Sequence, residues 1–377
     1  MNLRRTRAVA RKEFLHILRD PRSLILALAL PILMLMLFGY GLTLDVDRIS
    51  TLVYDYDLTP QSRDLIARFQ GSRYFQILGT AGSYGEIERA VDEDRCMLGV
   101  VIPRDYARDL LAGQNAQVQL ILDGSDSNTA SIALGYASSV VQSYALELRS
   151  RASDRRGGVR LVPPVDGRLR IWYNSDLKSK NYLVPGLIAL IMMIIGALLT
   201  SLTLAKEWEM GTMEQLLSTP LRAPEVALGK MLAYFTLGII DMFITIVAGV
   251  AVFQVPMRGS YLFLVATGCI FLIGALFWGI MLSAVARTQL IAYQLAMLSS
   301  FLPAFLLSGF VFAIETMPLP IRLVTYLFPT RYFVTILKGI FLRGVGVEVL
   351  YVEVLLLVLY AAMVFLIATR KLRQKVA

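Results

Sequence analysis

The stretch KEWEMGTMEQLLSTP, residues 206–220, lies between two long apolar runs, and in it Glu207, Glu209 and Glu214 fall within a single short turn. Three carboxylates that close could act as general acid and base, ligate a cation, or form the charged part of a docking surface. The first two uses need partners, and the chain has few. It holds one histidine, His16, and two lone cysteines, Cys96 and Cys269, so a histidine-dependent dyad or a metal site has almost no ligands to draw on. The cysteines sit in different phases, which argues against a disulfide. The nearest trace of a phosphate-binding loop, PEVALGKM at 224–231, has Pro224 where the first glycine belongs and no hydroxyl after Lys230. No G-x-S-x-G or H-E-x-x-H motif occurs. Contact with another surface remains.

Local pattern gives this turn a shape. Thr212 followed by Gln215 fits a capping box, Glu214 lies where a helix dipole favours a carboxylate, and Met213, Leu216 and Leu217 make a small apolar face. Pro220 ends the element, and Pro224 can open the next helix, leading through Gly229 and Lys230. The pattern predicts a very short capped helix. Such a helix is unstable alone and needs something to pack against.

The elements that position it are membrane spans. The chain is 56% hydrophobic and only 17% charged, against about a quarter charged in soluble domains. A span needs about 20 mostly apolar residues, and six segments qualify. They are Ser23–Leu44, kinked at Pro31; Tyr182–Ala205; the run between Lys230 and Arg258, broken only by Asp241; Tyr261–Ala286; Leu290–Ile314; and Val349–Thr369. The expected fold class is therefore an α-helical polytopic membrane protein, with six transmembrane helices per chain and an α/β extracytoplasmic domain inserted between the first and second. Both tails are basic, through Arg4, Arg5, Arg7, Arg11 and Lys12 at one end and Arg370, Lys371, Arg373 and Lys375 at the other, so both termini are expected in the cytoplasm. The turn 206–220 then lies in the cytoplasm and residues 45–181 outside.

Residues 1–22 read as an amphipathic interfacial helix. Val9, Phe14, Ile17 and Leu18 share one face, and the basic residues meet anionic lipid headgroups. In 45–181, STLVYDYD (50–57), CMLGVVIP (96–103) and VQLILDG (118–124) read as strands, SYGEIERAVDEDR and RDYARDLLAGQ as helices, residues 128–150 as a long helix and 154–168 as a loop. The rest divides into a second span at 182–205, a loop at 206–229, spans three to six over 230–369 and a basic tail at 370–377. Within the last spans, 314–344 is too broken by Pro318, Pro320 and Pro329 to cross, and Arg331 and Lys338 there either anchor the segment, the favoured reading, or contact outer headgroups. Asp241, midway through span three, costs about 2.5–3.5 kcal/mol on insertion scales and should face the interior, lining a transport path or bonding a neighbouring span. Basic residues beside spans are explained by topology, so no nucleic-acid partner is implied.

EWEMGTMEQLLSTPL resembles the E-x-E-x-G-T-x-E-x-L-L-x-S/T-P signature of ABC-2 type exporter permeases, the membrane subunits of ATP-driven exporters. SKNYLVPGLIALIM (179–192), LPAFLLSGFVFAIETMP (302–318), RYFVTILKGIFLRG (331–344) and ILDGSDSNTA (121–130) are similar too, the last pointing to the drug-exporter-like branch with a large outer domain. The resemblance implies a dimeric permease in a bacterial inner membrane, paired with an identical or homologous second permease and two ABC ATPase subunits, and leaves open a periplasmic adaptor. It implies no cofactor in this chain, with ATP and Mg held by the partner ATPase. It also implies that Glu207, Glu209, Gly211, Thr212, Glu214, Leu216, Leu217 and Pro220 form the coupling helix that docks on that ATPase. The cargo expected is an amphiphilic or drug-like small molecule or a lipid. Two alternatives stay in view: a membrane-anchored ligand sensor or scaffold using the outer domain, and a proton-coupled carrier, for which Asp241 alone is thin support.

Overall fold

The structure, a computed structural model, describes residues 2–41, 48–155, 173, 178–286 and 288–376; the side chains of residues 22, 23, 26, 127, 128, 149–155, 216, 217 and 374–376 lie outside that description. The chain divides into two compact units, one holding the first 43 residues with 171–377, the other 44–170.

Helix α1 (Leu3–Arg19) opens with the Asn2 side chain accepting from the Arg4 amide, which satisfies one of the free donors of its first turn. Its buried stripe is Thr6, Val9, Glu13 and Ile17, at helical spacing. Phe14 and Leu18, expected on that stripe, are 38% and 54% exposed; the stripe takes up a carboxylate instead, because a cation waits for it on another helix. Asp20 ends α1, and Pro21 starts α2 (Pro21–Gly41), which carries Pro31 in its interior.

In the second unit, strands β1 (Ile49–Asp55), β2 (Phe75–Thr80), β3 (Leu98–Ile102) and β4 (Gln119–Leu122) form one sheet in the order β2-β1-β3-β4. β1 runs parallel to both neighbours, with Val53 opposite Val100, and β4 is antiparallel to β3. All of LGVVI in β3 is buried, as befits a central strand covered on both faces. Helices α3 (Pro60–Gln70), α4 (Tyr84–Asp92), α5 (Tyr106–Leu111) and α6 (Ser127–Arg155) surround the sheet. Leu65, Phe69, Tyr106, Ala133 and Ala137 pack with Val53 and Val100 on one face, and Ile87 with Val101 on the other. The strand β2 and helix α3 were not among the elements expected from sequence, and the loop 154–168 lies almost wholly outside the described residues.

In the first unit the chain continues through α7 (Ser179–Glu209), α8 (Met213–Leu217), α9 (Ala223–Ala251), α10 (Tyr261–Val285), α11 (Gln289–Leu306), α12 (Leu319–Val324), α13 (Pro329–Lys338) and α14 (Val347–Val376). Among the described residues, five helices are long and apolar enough to cross a membrane: α7, α9, α10, α11 and most of α14. The protein is thus a mostly helical, polytopic membrane protein. In α2 the qualifying apolar stretch is Ala27–Gly41, shorter than the others. α7 is the axis of the bundle, 94% of its most apolar window being buried against 22% for α11. Its polar side chains close the packing. Thr200 donates to the Leu276 carbonyl of α10 at 3.0 Å, and Ser283 of α10 accepts from the Leu204 and Ala205 amides, both at 2.9 Å. These bonds satisfy groups that lipid cannot.

Two boundaries depart from the apolar runs. α9 begins at Ala223, so Lys230 lies inside the helix rather than at its edge. α11 stops at Leu306, well before Ile314, because the chain turns at Gly309, whose φ of +79° is one only glycine adopts freely. Beyond it, Arg331 donates to Thr325 and lies 3.6 Å from the centre of the Tyr326 ring. Lys338 donates to the Gly309 carbonyl at 2.7 Å and sits 3.3 Å from the centre of the Tyr182 ring. Both cations turn onto protein rather than outward, since a carbonyl and a ring face compensate a half-buried charge.

Candidate functional site

The turn between α7 and α9 is built from the end of one helix and the start of the next. α7 closes through Met210, whose amide donates to the Lys206 carbonyl, and Gly211 follows with φ +69°, the left-handed residue that commonly ends a helix. This reversal turns Thr212 back, so its hydroxyl donates to the Glu207 carbonyl at 3.3 Å. α8 is five residues long. A cap forms at α9, where Glu225 accepts from the Arg222 amide at 3.1 Å, with Pro224 in the first turn.

The three carboxylates have separate surroundings. Glu207 is 8% exposed and pairs with Lys12 at 2.9 Å and Lys230 at 3.2 Å. Lys230, 1% exposed, also meets Glu13 at 2.9 Å, and Lys12 lies 3.6 Å from Glu13. Two ammonium groups and two carboxylates thus form a neutral, largely buried quartet joining α1, α7 and α9. Burial works against the Lys12 ammonium, but the Glu207 and Glu13 carboxylates outweigh it and hold its pKa above the usual lysine value. Glu209 faces outward and accepts from the Gln289 amide at 2.9 Å and side chain at 3.1 Å, a carboxylate at the positive end of α11. Glu214 is exposed.

α1 straps the turn from end to end. Arg5 donates to the Pro220 carbonyl, the Asn2 amide donates to Glu225 at 2.7 Å, and Lys206 approaches Asp20 at 4.0 Å. Gly229 makes the seat for this strap: a Cβ there would lie 2.6 Å from Val9 Cβ and 3.0 Å from the Thr6 carbonyl oxygen. Only glycine allows α1 and α9 to approach so closely.

Of the residues singled out from sequence, Glu207, Glu209, Gly211, Thr212, Glu214 and Pro220 therefore come together in one turn, with Glu207 turned inward. The side chains of Leu216 and Leu217 lie outside the described residues. Asp241 is not part of the site. It sits three helical turns further along α9, 2% exposed, and its Oδ1 accepts no hydrogen bond among the described residues. Sequence reading missed Lys12, Glu13 and Lys230 as site residues. The available signal was Lys230 itself, a lone cation on the apolar side of a helix start, and Glu13, the one acid amid the basic residues of α1.

A family model described as "ABC-2 family transporter protein" matches residues 21–370. Over 364 residues the chain is 36% identical to the probable multidrug ABC transporter permease YbhS of Escherichia coli K12, covering 96% of this chain and 95% of that protein. Over 341 residues it is 31% identical to the probable multidrug ABC transporter permease YbhR of the same organism, covering 90% of each. The inner membrane transport permease YhhJ of that strain is 25% identical over 300 residues, covering 77% of this chain and 76% of that protein.

Proposed function

The chain belongs to the ABC-2 family of transporter proteins, and we propose that it is the permease half of a dimeric ATP-driven exporter, moving amphiphilic or drug-like molecules or lipids outward. In this reading it is a multi-pass transport subunit, and ATP hydrolysis belongs to separate ATPase subunits. In the proposed arrangement α2 is the first of six spans, both termini face the cytoplasm, and the sheet-containing unit lies outside. The turn 206–220 then faces the two ATPases, on which ATP and Mg reside, and the second permease is an identical or related chain.

One observation carries the coupling role. A five-residue helix and its flanking turns are held by Arg5, Asn2, Lys12 and Lys230 to α1 and α9, while Glu214 is exposed. A short segment braced from behind and open in front suits a lever. Closure of two ATPases displaces α8, and the rigid quartet passes the displacement to α7, the axis of the bundle, and to α9. The two ends of the transport cycle differ in their contacts at this turn, which is what lets nucleotide shift their populations. Asp241 faces the interior of the bundle as a transport-path or interhelical group.

The test is co-purification with a tagged ATPase, then substrate-stimulated ATP hydrolysis in liposomes. Leu216→Asp is expected to abolish stimulation, since desolvated anchors carry most interface energy. Wild-type stimulation by that variant would remove the assignment.

A further inference from the structure

Behind the turn lies a cavity of about 580 Å³, within the range of small-molecule sites. Its walls are of two kinds. Leu198, Leu202 and Tyr234 give an apolar side, while Lys12, Lys206 and Lys230 stand against Glu13, Asp20 and Glu207. The charges balance, so a ligand bearing net charge would upset a neutral lining, whereas a zwitterion would not. The pairing is also incomplete at both ends. Glu207 Oε1 takes Lys12 and Lys230, but Glu207 Oε2 is buried and accepts nothing from the described residues. Lys206 is paired loosely, 4.0 Å from Asp20 and 3.4 Å from His16 Nε2, with about a third of its side chain exposed. A buried carboxylate oxygen without a donor is costly, and the lever role explains the other oxygen but not this one.

We infer that this cavity binds a zwitterionic amphiphile, its N–H-bearing ammonium at the Glu207 carboxylate, its anionic group at Lys206 and its apolar body against Leu198, Leu202 and Tyr234. The inference rests on the exporter reading for its purpose, as a loading site on the side of the turn. The chemistry is shared by a lipid with an ethanolamine headgroup and by a free zwitterionic amphiphile.

The probes are dodecylphosphoethanolamine and dodecylphosphocholine, which share tail and phosphate and differ only in the methyl groups that remove the N–H donors. They are titrated onto the full chain in nanodiscs of phosphatidylglycerol, and binding is read by native mass spectrometry. The ethanolamine probe is expected to bind about tenfold more tightly, one charge-assisted hydrogen bond being at stake. Leu202→Trp, which fills the apolar side and keeps every charge, should lose both probes while unfolding at the wild-type temperature; Leu198→Phe serves if Leu202→Trp misfolds. Equal affinity for the two probes, or discrimination that survives a folded cavity-filling variant, overturns the inference. Discs containing phosphatidylethanolamine separate the sources. Blocking of the probe identifies a leaflet lipid as occupant, and unchanged probe binding identifies a free amphiphile. ATP-driven export by the chain with its ATPase is measured separately. Export without probe discrimination sinks the cavity site alone, and discrimination without export sinks the exporter reading alone.

Discussion

Replacing Lys230 by methionine tests the quartet at its most buried member. Lys230→Met keeps the length of the side chain and removes the charge, leaving Lys12 as the ion-pair partner of both Glu13 and Glu207 among the described residues. Removing one partner of a buried ion pair costs about 3–5 kcal/mol. The low end applies, because Lys12 already lies 2.9 Å from Glu207 and 3.6 Å from Glu13 and can share itself between them. About 3 kcal/mol corresponds to a fall of roughly 6–12 °C in unfolding midpoint for a domain of this size. The assay is thermal unfolding of the solubilised chain, followed by intrinsic fluorescence. The double variant Lys230→Met/Glu13→Gln restores neutrality and should recover more than half of the loss, since what destabilises is the uncompensated carboxylate and not the missing contact. A Lys230→Met midpoint within a degree of wild type, or a double variant no better than the single, would refute the reasoning.

Gly229→Leu should lift α1 from α9 at a cost of about 1–3 kcal/mol for overpacking, seen as faster hydrogen exchange across Leu3–Arg19 with the second unit unchanged. Glu209→Ala should weaken ATPase stimulation only mildly, because its bonds go to Gln289 at the start of α11; complete loss would mean that Glu209 and not α8 carries docking. Asp241→Asn should lower export or dimer assembly, a buried carboxylate inside a span being kept only for use. Unchanged values of both would show that the group does neither.

What was legible in the sequence is what repeats locally. Long apolar runs located the five helices able to cross a membrane, short β-branched or apolar runs located β1, β3 and β4, and Gly211 with Pro220 located the turn. β2 escaped because FQILGT is a short edge strand with half its residues outward, and α3 because its fully buried stripe is just Leu65 and Phe69 beside Ser62. The quartet escaped for a different reason. Glu13 and Lys230 are 217 residues apart, and nothing in either neighbourhood states that the other will bury against it. Glu207 was grouped with Glu209 and Glu214 among the docking positions, and the fold pairs it with Lys12 and Lys230.

The central claim, that the braced turn is the face presented to an ATPase, is tested most directly by site-specific photocrosslinking. A photoreactive residue is placed at Glu214, or at exposed Leu319 on α12, and the chain is co-expressed with the partner ATPase. The account predicts a crosslinked permease–ATPase band from position 214 that is absent from position 319. No band at 214, or bands of equal strength at both, would contradict it.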